Sequence, residues 1–404
     1  MLPTSLVVLV LLAFQSNYYE QGLKALDEKR YQDAVDNFRN AIAAEPPDYT
    51  IHFNLALAYS LLGKDAEAIP EYKKALEMKP DIYQADLNLG ISLLRQNQGA
   101  QAVPYLTAAV AQKPKEYRPN YYLASALLAS GDLPKAEQTF TAAIEIDPKS
   151  ADAELGLAHA LAKENKLADA APHFHKAADA NPKYRDDLLE LASLYEAQKQ
   201  PAEAIEIYRQ FPDNVGAQER LGELLLASGQ PADAIQHFQA AIAKSPTEAN
   251  RAALASAYLK NKEPEKALPV LDQILSANPA SFEVRMLHGR VLRDQRKFPD
   301  AAQDFFKATQ IKPDSSEAWS ELAGVLVMAE NYAAALGALD RVAALHAEKP
   351  GHVYIRAIVL DKIKQNKLAL ESYERFLSMS NGQSPDEEFK ARQRVRILQK
   401  ELGK

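Results

Sequence analysis

The sequence contains no cysteine and a single tryptophan. Without cysteine there are no disulfides, no thiolate metal sites, no cysteine nucleophile and no lipid-modified N-terminal cysteine. A glycine-rich phosphate loop, an HExxH zinc motif and a serine nucleophile elbow are missing too, which takes away the commonest nucleotide, zinc and acyl-transfer sites. No sign of charge dominates: 47 Lys and Arg stand against 54 Asp and Glu, and the net −7 gives no reason to expect nucleic acid or an acidic membrane as partner. The last nineteen residues carry ten charges of both signs, so they are no basic tail. The one unbroken apolar run near the N-terminus, nine residues from Leu6 to Phe14, falls short of the ~20 that a membrane-spanning helix needs.

That run has the length of a signal-peptide core, although no Lys or Arg precedes it and Ala13-Phe14-Gln15 makes only half of a small-x-small cleavage site. Residues 1–15 are therefore expected to be a signal peptide, with an uncleaved anchor or the apolar start of a helix as the other readings. The expectation is an exported protein of bacterial type, periplasmic or secreted, with a cytoplasmic location as the alternative.

What the chain has instead is repetition. The stretch from Tyr49 to Ile82 reads as two amphipathic helices, with Phe53, Leu55, Leu57 and Tyr59 in the first and Ile69, Tyr72, Ala75 and Leu76 in the second. Gly63-Lys64-Asp65 turns the chain between them and Pro80 stops the second helix. Stopping prolines recur at Pro46, Pro80, Pro114, Pro148 and Pro182, each 34 residues apart, and resume at Pro246, Pro279 and Pro313 after one shorter step. Small residues keep the same time: Gly22, Ala56, Gly90, Ala124, Ala158, Ala192, Gly222, Ala255, Gly289, Ala323 and Ala357 in the first helices. Ala34, Ala68, Ala102 and their successors to Ala369 hold the corresponding place in the second. Close approach of two helices requires such positions, because helix separation is set by the side chains at the contact. Bulky residues such as Leu55, Leu89, Phe38, Tyr72 and Phe140 occupy neighbouring positions.

With its 34-residue helix-turn-helix and its large, small, aromatic and proline registers, the chain resembles the tetratricopeptide repeat family. Eleven repeats cover more than nine-tenths of it, and the family's tryptophan position is kept only at Trp319. The resemblance implies an all-α fold, a right-handed superhelical α-solenoid closed by a capping helix. The expected organisation is 16–214 as an N-terminal block of six repeats, 215–383 as a C-terminal block of five, and 384–404 as the cap. In the cap, Phe389, Val395, Leu398 and Leu402 are expected to form the apolar stripe. The second helix of the sixth repeat reaches Pro212 four residues early, read as a seam within one solenoid, with a boundary between two solenoids as the alternative. Pro134, Pro201, Pro231, Pro264 and Pro299 fall in first turns, where the missing N–H costs nothing. Pro70, Pro104, Pro172 and Pro269 share a deeper position and must each give up a hydrogen bond.

No catalytic constellation is visible, so no enzyme activity and no cofactor are expected. His173 and His175 are two apart on a helix, about 200° around it, and cannot chelate one ion together, so no metal is expected either. The resemblance implies a concave groove lined by first helices. Carried over residue by residue, that groove holds Tyr19, Leu23, Phe53, Leu57, Leu87, Ile91, Leu94, Tyr121 and Leu128, an apolar strip in which Phe53 and Leu57 have no evident fold duty. It becomes polar and charged at His159, Asp186, Glu219 and Glu223, and basic at Arg290 and Arg293, which could receive a carboxylate. The expected function is a non-enzymatic scaffold that binds an extended peptide or a helix of a partner protein. The alternatives are an assembly factor of a cell-envelope complex, using the convex face or the solenoid ends, and a regulatory subunit of a separately encoded enzyme. The expected partner is a protein or peptide, without nucleic acid, and a membrane enters only through an N-terminal anchor.

Overall fold

The computed structural model describes residues 18–403, all-α among those residues: twenty-three α-helices, one short 3-10 turn and no strand. The apolar run read as a signal peptide lies outside the described residues. No described helix is long and apolar enough to cross a membrane. Helices alternate as the sequence registers require, for example Tyr49–Leu61 with Asp65–Met78 and Tyr83–Arg95 with Gly99–Gln112. The last helix, Pro385–Glu401, stands alone after the eleventh pair. The chain divides into two compact units, one ending at Ile207 and the other beginning at Tyr208.

The entrances to many first helices are built by side-chain caps at the repeat boundary. Asp48 accepts from Thr50 N at 2.8 Å, Ser150 from Ala153 N at 3.1 Å, Asn214 from Ala217 N at 3.0 Å and Thr247 from Asn250 N at 3.1 Å. Each satisfies one of the N–H groups that a helix start leaves unpaired.

Between the two helices of every repeat one residue takes a left-handed backbone, with φ between +56° and +85°. Gly63, Gly131 and Gly229 hold that place in three repeats, and Lys29, Asn97, Asn165, Lys199, Lys262, Arg296, Glu330 and Lys364 in the other eight. Outside glycine this conformation costs about 1–2 kcal/mol per residue, because Cβ crowds the following carbonyl. Arg296→Gly is expected to raise stability by up to about 1 kcal/mol, the relief being partly offset by glycine's larger unfolded-state entropy. Gly131→Arg is expected to lower it by a similar amount, and urea denaturation of both variants measures the two signs.

The small and large registers meet at a fixed offset of sixteen residues. A Cβ built on Gly22 would lie 2.5 Å from the Phe38 ring, one on Gly90 2.3 Å from Leu106, one on Gly222 2.7 Å from Phe238 and one on Gly289 2.9 Å from Phe305. Phe38, Phe140, Phe174, Phe238 and Phe305 are fully buried, as are Ala34, Ala68, Ala102 and Ala136. The helix faces therefore touch with no spare volume, which is the packing density of protein interiors generally.

Trp319 donates from its indole to Pro313 O at 2.9 Å, which ties the helix start back to the turn before it. Elsewhere the same place is filled by other donors. Asn120 donates to Pro114 O at 3.0 Å and Arg285 to Pro279 O at 2.8 Å. What the fold requires there is an N–H aimed backwards, and an indole is one of several ways to supply it.

The four deep prolines lie inside unbroken helices. They and the residues four before them are exposed, so water serves the carbonyls they leave free. The sixth repeat is short on both sides: a 3-10 turn at Pro182–Tyr184 precedes Asp187–Ala197, and the second helix is only Pro201–Tyr208.

The terminal helix differs from the expected stripe. Phe389 is 64% exposed and Leu402 37%, whereas Ala391 and Leu398 are fully buried, with Val395 packed beside them. Ala391 and Leu398 are seven residues apart, two turns of one face, and Phe389 falls on the other side. Glu388 completes the buried side, accepting from Ser380 Oγ at 2.7 Å and Gly382 N at 2.6 Å. The acidic first turn thus holds the preceding loop as well as complementing the helix dipole.

Candidate functional site

The apolar strip expected along the first helices is less open than its sequence suggests. Leu87 and Ile91 are buried, at 4% and 6% exposure. Tyr19, Leu23, Phe53, Leu57, Leu94, Tyr121 and Leu128 are half-buried. The covering comes from within the repeats. Phe53 lies with its ring 5.9 Å from Tyr72, Tyr19 stands 5.9 Å from Phe38 and Tyr121 6.2 Å from Phe140, each pair nineteen residues apart. Phe53 therefore has a fold duty, contrary to expectation, since it rests on the aromatic of its own second helix. Tyr19 is also tied to the next repeat, because Asn54 donates to its hydroxyl at 3.1 Å. Tyr121 stacks on Tyr117 at 5.7 Å.

Where the strip does open, it forms one defined cavity of about 490 Å³. Leu57, Leu87 and Ile91 supply its apolar lining, with Ser60, Gln84, Asn88, Arg95 and Arg118 around them. Two phenols belong to it. Burial pushes Tyr72 up to about 12, and Tyr83 is also pushed up to about 12, by burial and by its hydrogen bond to Glu116. Both stay neutral at any working pH, so the charge here belongs to Arg95, Arg118 and Glu116. Lys113 and Tyr83 hydrogen-bond Glu116 and hold its carboxyl below the usual range. Arg95 Nη1 stands 3.7 Å from Asp65, beyond hydrogen-bond distance, and Arg118 lies over the Tyr122 ring at 5.9 Å.

Arg290 and Arg293 line a second cavity, of about 540 Å³, with Leu259, Leu287 and Val291. Their carboxylate is the chain's own. Arg290 Nε donates to Glu321 at 2.8 Å, Arg293 Nη1 to the other oxygen of Glu321 at 2.5 Å, and Arg290 also reaches Glu317. Glu321 sits on Ser316–Met328, the first helix of the following repeat, 31 residues beyond Arg290. A search for opposite charges at about one repeat's distance would have found it.

His173 is engaged by a carboxylate of its own repeat. His173 Nδ1 hydrogen-bonds Glu154 at 2.5 Å, and Lys176 approaches the same carboxylate at 3.5 Å. His159, Asp187 and Glu190 do converge, with one donor atom from each lying within 4.8 Å of the others. The sequence reading missed them because two helices supply them and no local motif joins them.

Family models described as tetratricopeptide repeat match residues 19–81, 87–151, 155–214 and 290–352, and a second such model matches 225–291. Among curated proteins, DnaJ homolog subfamily C member 3 of Mus musculus and of Rattus norvegicus are each 32% identical over 126 residues, 30% of this chain. The match spans 25% of the length of these relatives. Among solved structures, MamA from Desulfovibrio magneticus RS-1 is 23% identical, covering 42% of this chain and 96% of that one at a TM-score of 0.39. YrrB, titled as a TPR protein with an unusual peptide-binding site, is 22% identical, covering 45% of this chain and 90% of that one at a TM-score of 0.40.

Proposed function

The chain belongs to the tetratricopeptide repeat family, a scaffold for protein–protein contacts, and from that premise we propose that it holds an extended segment of a partner protein against its second to fourth repeats. The observation that carries this reading is the cavity at Leu57, Leu87 and Ile91. An apolar hollow with a few convergent polar groups is the usual form of a recognition pocket. Its floor is preorganised, because Leu87 and Ile91 are packed from below and lose little freedom when a ligand arrives. Asn88, Gln84 and Ser60 can pair with the amides of an extended backbone, and Arg118 favours an acidic side chain beside the buried apolar one.

Truncating the buried floor would disturb the fold, so the test uses the half-buried and exposed members. Peptides selected from a random display library on the full chain should share one apolar residue flanked by acidic residues. Leu57→Glu together with Arg118→Glu should weaken the selected peptides by at least about tenfold, or about 1.4 kcal/mol, with helicity by circular dichroism unchanged. Peptides that bind both proteins equally would place the contact elsewhere on the chain.

A further inference from the structure

We propose that His159, Asp187 and Glu190 form a site for one divalent transition-metal ion, of which Zn²⁺ is the best match, clipping the fifth repeat to the sixth. His159 projects from Ala151–Lys163, and Asp187 and Glu190, three apart, share a face of Asp187–Ala197. The imidazole is seated edge-on against Phe174, with ring centroids 5.2 Å apart and planes at 86°. This fixes the ring beside the carboxylates. Its Nδ1 stands 3.6 Å from Glu190 Oε1, too long for a hydrogen bond and close to the separation of two ligands on one tetrahedral ion.

The donor set and its openness set this cluster apart from the chain's other histidine–carboxylate contacts. His288 also meets two carboxylates, Asp304 at Nδ1, 2.5 Å away, and Asp272 at Nε2, 3.4 Å away, but they lie at its two different ring nitrogens and so cannot share one ion with a single donor atom. His52 with Glu71, at 2.6 Å, and His173 with Glu154, at 2.5 Å, are closed hydrogen bonds across two helices of one repeat. At His159 a second carboxylate joins, and the three donor atoms lie within 4.8 Å of one another without that closure. Two carboxylates so placed repel each other unless a cation stands between them. One imidazole nitrogen with two carboxylate oxygens suits zinc, and water fills the remaining positions. Glu190 is half-exposed, so its side chain is free to change rotamer and draw in around an ion. The proposal does not depend on the peptide reading, since none of the three residues lines the cavity at Leu57.

The test uses the full chain, made without a polyhistidine tag and stripped with a chelator, titrated with ZnCl₂ by calorimetry and with Co²⁺ by visible absorption. One saturable equivalent is expected, with a tetrahedral cobalt band. Glu190→Gln, at an exposed position, should weaken it by at least about tenfold, and His159→Ala should abolish it. Zinc should raise the melting temperature of the parent protein and leave that of His159→Ala unmoved. No saturable binding would overturn the proposal, and so would binding that both variants retain, because the ion would then sit on other histidines.

Discussion

Phe238→Ala is expected to cost about 3–5 kcal/mol, the range for removing a fully buried aromatic from a core that relaxes only in part. The ring is 1% exposed and meets the first helix of its repeat at Gly222, where there is no side chain to move in and fill the space. The melting temperature of the second unit should fall by roughly 6–20 °C, at 2–4 °C per kcal/mol for a body of that size. The converse change is informative as well. Gly222→Ala places a Cβ 2.7 Å from the same ring and should cost about 1–3 kcal/mol by overpacking. The lower end is expected, because the fold already seats alanine opposite an aromatic in the pairs Ala56/Tyr72, Ala124/Phe140 and Ala158/Phe174. Combining Gly222→Ala with Phe238→Leu should lose less than the two single changes added together, since leucine gives back the space that the new methyl takes. Strict additivity in urea denaturation would mean that the two positions do not share one contact.

That contact is the part of the fold most legible in the sequence. A residue that must stay small in every repeat can be read without coordinates, because nothing larger is tolerated and the spacing does not drift. The left-handed residue in each turn is harder to read. Gly63 announces it, but Lys199, Lys262 and Arg296 do not, and only alignment to the glycine-bearing repeats brings them into the same column. Trp319 misleads in another way. It suggests that an indole is required, whereas Asn120 and Arg285 show that the requirement is a donor for a proline carbonyl.

The candidate site was legible only in part, and for a physical reason. Position within a helix says which way a side chain points, but exposure depends on what the neighbouring elements place over it. Leu57, Leu87 and Ile91 were read as one open strip, and the structure brings those three into one cavity with the latter two packed beneath its surface. Phe53, on the same face, is occupied by Tyr72. Arg290 and Arg293 looked available until Glu321 on the next repeat was placed between them. Contacts between repeats are the layer that a single helical wheel does not contain.

The largest electrostatic effect is expected at Asp304. Arg285 and Asp304 are 8% and 7% exposed and joined at 3.1 Å, and His288 Nδ1 hydrogen-bonds the second oxygen of the same carboxylate. Asp304→Ala leaves the Arg285 guanidinium buried without its anion, a change that costs about 3–5 kcal/mol. Because the pair is buried, the loss should persist at high salt, where exposed pairs are screened. The neighbouring repeat offers another solution to the same geometry. Thirty-four residues on, Trp319 and Ala338 occupy the places of Arg285 and Asp304, and the indole makes the same backward bond to a proline carbonyl. Arg285→Trp combined with Asp304→Ala is therefore expected to recover most of what Asp304→Ala alone loses. The stranded charge is gone, Pro279 O keeps a donor, and apolar burial replaces the ion pair. A double-mutant cycle in urea should show a coupling of at least about 1 kcal/mol in favour of the pair. If the double variant is no more stable than Asp304→Ala, then the ion pair is specific to its repeat and the two solutions are not interchangeable.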